Sequence, residues 1–117
     1  MKRHRALAAT VVLLSAGAAD AAKPADKTCL IAGWENPASV CAAHTKVIAA
    51  TCFNCHGPQG ESQTAIPPLA GKEKQDFIVA MREFRDGKRE NTVMHRYALG
   101  YTEDEYEALG DYFANIK

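Results

Sequence analysis

Between Thr51 and Gly57 the sequence reads TCFNCHG, which places Cys52, Cys55 and His56 within five residues. Two cysteines at this spacing can cycle between thiols and a disulfide, supply half of a zinc site, or attach a cofactor. A histidine directly after the second cysteine narrows the choice. C-x-x-C-H is the pattern of c-type haem attachment, in which the two thiols reach the two vinyl groups and the adjacent imidazole faces the iron. A structural zinc site wants four ligands, usually as two such pairs. The other cysteines, Cys29 and Cys41, follow no paired spacing. A thioredoxin-like dithiol belongs in a βαβ unit, and no segment here alternates with the two-residue period of a strand. The residues point to one covalently attached haem c.

An iron held by one imidazole leaves its opposite axial position to be explained. The candidates are Met81, Met94, His44 and His95. Met81 falls on an apolar helical stripe, where a core role is expected. His44 precedes the motif in the same helix and is poorly placed to reach the far side of the iron. Met94 follows His56 in a stretch expected to be a connection and is the expected ligand, with His95 its rival. A thioether raises the potential relative to two imidazoles, within a range of about 0.8 V set by axial ligands. A filled sixth position suits an electron carrier. An open one would suit a haem enzyme or gas sensor.

These residues need elements to position them. Lys2, Arg3 and Arg5 followed by the apolar run Ala6 to Ala19 predict an export signal over residues 1–21, with cleavage near Ala21/Ala22 after Ala19-Asp20-Ala21. The run is too short to cross a hydrocarbon core, which needs about 20 residues. The remaining 96 residues suffice for one small domain. Losing Lys2, Arg3, Arg5 and Asp20 takes Lys plus Arg from 14 to 11 and Asp plus Glu to 13, a net charge near −2. That balance argues against nucleic acid as a partner, and no other apolar run suggests a membrane. Export would place the protein in the periplasm. In such an oxidising compartment Cys29 and Cys41 can form a disulfide worth roughly 3 kcal/mol in loop entropy, or remain separate thiols, or bridge two chains.

The mature chain is predicted all-α. Residues 22–39 form an N-terminal extension with the disulfide loop, and residues 40–117 the main domain. Val40 to Thr51 is alanine-rich, with Val40, Ala43, Val47 and Ala50 at helical spacing. Gly57 to Gly71, with Pro58, Gly60, Pro67 and Pro68, is a loop. A second helix over Lys72 to Asp86 presents Phe77, Met81 and Phe84, with Gly87 at its end. Lys88 to Tyr101 is an irregular connection. Thr102 and Glu105 form a capping box opening a helix that carries Tyr106, Leu109, Gly110 and Phe113 on one side. Three or four short helices bury little surface by themselves, so a domain this small calls for a staple or a large cofactor.

From Val40 to the C-terminus the chain resembles a class I cytochrome c, three to four short helices wrapped around one covalent haem c. The resemblance rests on CFNCHG, on Ile66-Pro67-Pro68-Leu69-Ala70-Gly71 and on the final helix. It implies that the Pro67 carbonyl accepts a hydrogen bond from His56 and that Leu69 packs on the porphyrin. A narrower likeness is carried by Phe84, Gly87, Arg89, Thr92, Met94, Gly100, Tyr101, Thr102 and Glu105. This F-x-x-G-x-R, T-x-M and G-Y-T-x-x-E pattern is similar to the small cytochrome subunit of flavocytochrome c sulfide dehydrogenases. It implies Met94 as the iron ligand, an FAD-containing flavoprotein subunit as electron donor and a soluble electron acceptor downstream. A free-standing carrier serving an oxidase or another dehydrogenase is the alternative. His95 stands where that subgroup usually has a small residue, and the resemblance does not extend to the Cys29–Cys41 segment with Trp34, an N-terminal addition.

The charges separate along the sequence. Arg82, Arg85, Lys88, Arg89 and Arg96 flank Met94, while Glu103, Asp104, Glu105, Glu107 and Asp111 occupy the last helix. Two outcomes are open: ordinary solvated faces, or a basic rim that steers an acidic partner. Trp34 is a candidate anchor for a partner, or a cover for the haem or the disulfide loop.

Overall fold

Pro37 opens the first long element. Its carbonyl accepts from Val40 N and Cys41 N at 2.9 and 3.1 Å, and the alanine-rich run behind it continues as helix α1 from Ala38 to His56. In the computed structural model, which describes residues 28–90 and 92–117, a hairpin of β1 (Cys29–Ile31) and β2 (Trp34–Asn36) precedes α1. After α1 come a short 3-10 turn at Pro58–Gly60 and helices α2 (Lys74–Arg85), α3 (Val93–Leu99) and α4 (Glu103–Ala114). The export signal and cleavage site expected in residues 1–21 lie outside the described residues. Four helices carry the fold, as the class I cytochrome c resemblance implies.

Three local features differ from expectation. The hairpin is absent from the all-α reading because its strands have three residues each, too short to show alternation. Its two-residue turn, Ala32 and Gly33, takes φ of 52° and 85°, the doubly left-handed geometry that matches strand twist. The Sγ atoms of Cys29 and Cys41 are bonded at 2.10 Å, tying the hairpin to the first turn of α1. Trp34 is 78% exposed on this hairpin and covers nothing.

The second difference is the face of α1. The stripe Val40, Ala43, Val47 and Ala50 points outward, with Val47 66% exposed, while Ile48, Ala49 and His56 are buried. Alanine and valine occur all round this helix, so their spacing reveals the helix and not its buried side. Ile48, Cys52, Phe53 and His56 decide the side. The third difference is α3. Lys88 to Tyr101 is not wholly irregular: Thr92 caps a seven-residue helix by accepting from Met94 N at 3.2 Å, so Met94 sits in a helical first turn rather than in a loop.

α4 matches its sequence signals. Thr102 and Glu105 form the reciprocal capping box, and Tyr106, Leu109, Gly110 and Phe113 are all buried. At Gly110 an added Cβ would lie 3.1 Å from Lys74 Cγ and 3.2 Å from Lys74 O, so the missing side chain is what lets α4 rest on α2. Phe113 packs edge-on against Phe53 of α1 at 6.4 Å and in a tilted stack against Phe77 of α2 at 5.6 Å. Tyr106 donates its hydroxyl to the Ala98 carbonyl at 2.6 Å, which satisfies the polar atom inside the core and fixes the end of α3. Tyr106, Phe113, Ile78 and Leu109 are fully buried, each worth about 1.5–3 kcal/mol of removed apolar surface.

Charges that are apart in sequence meet in space. Glu103 of α4 pairs with both Arg82 and Arg85 of α2, and Lys74 holds Glu107 and Asp111, each at 2.9 Å. Exposed pairs like these add little stability. Their main effect is to neutralise much of the basic face of α2.

One polar link joins α1 to α4: His44 Nε2 lies 2.7 Å from Glu105 Oε1. Burial pushes the Glu105 carboxyl up, but the Thr102 backbone N–H and the His44 imidazole outweigh it and hold the group below its ordinary value near 4.5. A carboxyl held low in the fold stabilises it above the ordinary value, and that stabilisation is lost as pH falls through the lower folded value. Glu105→Gln should therefore lower the guanidinium unfolding midpoint at pH 7. It should also flatten the fall in midpoint below about pH 4.5. Parallel curves for both proteins would contradict this.

Candidate functional site

Cys52, Cys55 and His56 occupy the last turn and a half of α1, where residues three and four apart lie side by side. Gly57, with φ 81°, ends the helix and sends the chain back beneath it. A Cβ there would sit 3.1 Å from Ser62 N. Gly60, again with φ 81°, then accepts from Leu69 N and Ala70 N at 2.8 and 3.1 Å, closing the proline-rich loop. A Cβ on Gly60 would meet the Phe113 ring at 3.0 Å, so this loop is also seated on α4.

That closure brings the Pro67 carbonyl oxygen 2.7 Å from His56 Nδ1. A carbonyl can only accept, so Nδ1 carries the hydrogen and Nε2 keeps its lone pair. His56 is 7% exposed, which leaves its ring little freedom to turn. The pairing orients the ring and makes Nε2 a better donor to a metal.

The motif opens on a cavity of about 370 Å³, within the size range of cofactor sites. Thr51, Cys52, Cys55 and His56 of α1 form one wall, and Ala65, Ile66, Pro67 and Leu69 of the loop another. α2 contributes Phe77, Ala80, Met81 and Phe84, and α3 with its flanks contributes Thr92, Val93, Met94, Tyr97 and Tyr101. Lys72 and Arg89 are the charged side chains of the lining, and no carboxylate is among them. A second recess of about 500 Å³, bordered by Thr92, Val93, His95, Arg96 and Leu99, holds neither cysteine nor His56.

The candidate axial residues separate. Met94 and Met81 both line the cavity, but Met81 is 5% exposed and part of the core between the helices. His44 is turned to Glu105 and away from the cavity lining. His95 places Nδ1 2.7 Å from the Phe84 carbonyl, to which it donates, and is also absent from the lining. Cys52 is partly buried and Cys55 exposed. Burial pushes the Cys52 thiol above its ordinary value, so it is a protonated thiol at neutral pH. At the rim, the Thr51 hydroxyl donates to Ile48 O at 2.7 Å, so the Tyr101 hydroxyl, 2.8 Å away, donates to Thr51.

An apolar cavity, two thiols in its wall, an imidazole with a fixed tautomer and a thioether together suit a haem. They do not suit a zinc cage, since no three His, Cys, Asp or Glu side chains converge among the described residues. Phe77, Met81 and Phe84, expected as a packing face, line the cavity as well; their helical spacing was the signal for both roles. Lys72, Tyr97 and the Thr51–Tyr101 pair went unforeseen. Nothing in the sequence around them marks a cavity. Among the described residues no helix is long and apolar enough to cross a membrane.

Comparison with known proteins agrees with this site. The family model described as cytochrome c matches residues 42–117. The cytochrome subunit of sulfide dehydrogenase from Chlorobaculum tepidum is 34% identical over 115 residues, covering 94% of each chain. Thiosulfate dehydrogenase electron acceptors are also similar. The one from Stutzerimonas stutzeri is 38% identical over 69 residues and the one from Thiomonas intermedia 37% over 86. The matches span 32% and 39% of those two longer proteins.

Leu69 is 8% exposed and belongs to both the cavity wall and the core. Leu69→Ala should cost about 2–5 kcal/mol of stability, measured by guanidinium unfolding of the ferric protein. A loss well under 1 kcal/mol would mean that the loop is not packed as described.

Proposed function

The chain belongs to the cytochrome c family, whose members carry covalently attached haem c and transfer electrons without themselves being catalytic, and we propose that it is the periplasmic cytochrome subunit of a sulfide-oxidising flavocytochrome. It takes electrons one at a time from an FAD-containing flavoprotein subunit and passes them to a soluble acceptor. In this reading residues 1–21 are the export signal, 22–39 an extension closed by the Cys29–Cys41 disulfide, and 40–117 the cytochrome domain.

The observation that carries the haem assignment is the C-x-x-C-H turn opening onto the apolar cavity that Met94 also lines. Cys52 and Cys55 are the attachment thiols. His56 offers Nε2 from one wall and Met94 its thioether from the first turn of α3. The haem supplies a centre that gains and loses a single electron. The chain does the rest: Pro67 holds the His56 ring, Leu69 and Phe77 keep water out, and Tyr106 anchors the end of the helix that bears Met94.

Two findings favour a subunit over a free carrier. The similarity to the sulfide dehydrogenase cytochrome subunit covers 94% of each chain, so it includes the N-terminal extension. The rim of the cavity exposes apolar side chains: Ile66, Val93 and Tyr97 line it and are 40%, 62% and 42% exposed, with Leu99 near them on α3. Arg82 and Arg85 are committed to Glu103, so contact through apolar surface outweighs steering by charge. The likeness to thiosulfate dehydrogenase electron acceptors supports the second reading, a carrier serving another dehydrogenase.

Native purification from periplasm should give haem and flavin absorbance at a fixed ratio, with the haem reduced on adding sulfide and the complex surviving raised salt. A lone haem peak that sulfide leaves oxidised would move the assignment to the free carrier. Met94→Ala should abolish the methionine–iron absorption band of the ferric protein and open it to carbon monoxide when reduced. An unchanged band would remove Met94 as ligand.

A further inference from the structure

α3 bears Met94 in its first turn, yet with seven residues it is shorter than the roughly 12 at which a helix begins to hold itself. Other parts of the chain must fix it. Its last turn is secured by the burial of Ala98 and by the Tyr106 hydroxyl, which donates to the Ala98 carbonyl at 2.6 Å. Its first turn has much less. Val93 and Arg96 are exposed, Met94 and His95 are half-buried, and residues 86–90 of the connection before it are exposed as well. The Thr92 cap on Met94 N is local, so it holds the shape of the turn and not its position.

His95 supplies the position. Its Nδ1 donates to the Phe84 carbonyl at 2.7 Å, the only side-chain hydrogen bond that joins α3 to α2 among the described residues. Phe84 lies in the last turn of α2, where carbonyls lose their partner four residues on. Lys88 N, which would have been that partner, bonds Glu83 O instead at 2.8 Å. The Phe84 oxygen takes Gly87 N at 3.2 Å and has a second lone pair for the imidazole. Successive residues of a helix point roughly 100° apart around its axis. With His95 tied to the end of α2, the rotation of the turn is set, and Met94 faces the cavity while His95 stays outside its lining.

We infer that His95 is the positioning residue of the axial thioether: through the Phe84 carbonyl it fixes the first turn of α3 and so keeps Met94 on the iron and the sixth position closed. The inference rests on the haem-binding reading with Met94 as ligand. Without the bond the turn is free to swing, Met94 leaves the iron more often, and a small ligand from solution takes its place. A chain altered only in this bond loses the closed iron of a carrier while the core around Tyr106 and Phe113 stays packed.

The test is the binding of imidazole to the ferric holoprotein, followed by loss of the methionine–iron band, in wild type, His95→Leu, His95→Asn and Glu105→Gln. Leucine removes the donor at similar bulk, and asparagine places an amide N–H where Nδ1 stood. Glu105→Gln weakens the link of α1 to α4 without touching the Phe84 carbonyl. Guanidinium unfolding midpoints measured alongside show how much general destabilisation contributes. His95→Leu should bind imidazole about tenfold more tightly, the factor expected for one lost hydrogen bond, and His95→Asn should stay near wild type. If His95→Leu does not accumulate with haem, His95→Ala carries the same comparison. Binding in the variant without a donor that is no tighter than in wild type, or than in Glu105→Gln at a comparable loss of midpoint, would overturn the inference. So would a His95→Asn protein as open as the variant without a donor. A wild-type ferric protein that lacks haem or the methionine–iron band would instead overturn the reading beneath it.

Discussion

The hydrogen bond from His56 to the Pro67 carbonyl sets the terms for the rest of this fold. It selects one tautomer of one imidazole, and it does so with a backbone atom, so its accuracy depends on the path of a loop. That path needs left-handed backbone at Gly57 and Gly60, an anchor from Leu69 and Ala70 to the Gly60 carbonyl, and the ring of Phe113 beneath Gly60. Phe113 is placed by α4, which is placed by its capping box and by its bare contact with α2 at Gly110. The tautomer of the histidine is thus maintained by the packing of the last helix in the chain.

The same helix disposes of the charge. Acidic residues gathered at the start of α4 complement the helix dipole, and Glu103 there also takes up two arginines of α2. The exposed apolar surface around the cavity is contributed by Ile66, Val93 and Tyr97. Arg89 pairs instead with Glu83, its Nε donating to Oε2 at 2.6 Å.

Much of this was legible in the residues. C-x-x-C-H identified the cofactor chemistry, Thr102 with Glu105 marked the start of α4, and the spacing of Tyr106, Leu109, Gly110 and Phe113 gave its buried face. What escaped has physical reasons. In α1, apolar residues on every side leave the inward face to be chosen by tertiary contacts, and the stripe beginning at Val40 proved to be the outer one. α3 has seven residues and takes its stability from the Thr92 cap and from Tyr106 in another helix, so its own sequence carries little periodicity. The hairpin is defined by positive φ at Ala32, where alanine gives no warning. The charge pattern is one-dimensional, and part of its segregation becomes pairing where α2 and α4 lie side by side.

The length and straightness of α1 solve a problem of sorting. Four cysteines can form six different single bridges, and only Cys29–Cys41 leaves both attachment thiols reduced. Cys41 lies in the first turn of α1 and Cys52 three turns later, about 16 Å along the axis at 1.5 Å per residue, well beyond the reach of a disulfide. Once this helix has formed, Cys41 can find only Cys29, and the pair at Cys52 and Cys55 is kept apart from it. The helix acts as a spacer between structural and cofactor sulfur, so the N-terminal bridge closes without drawing on either thiol of the C-x-x-C-H turn.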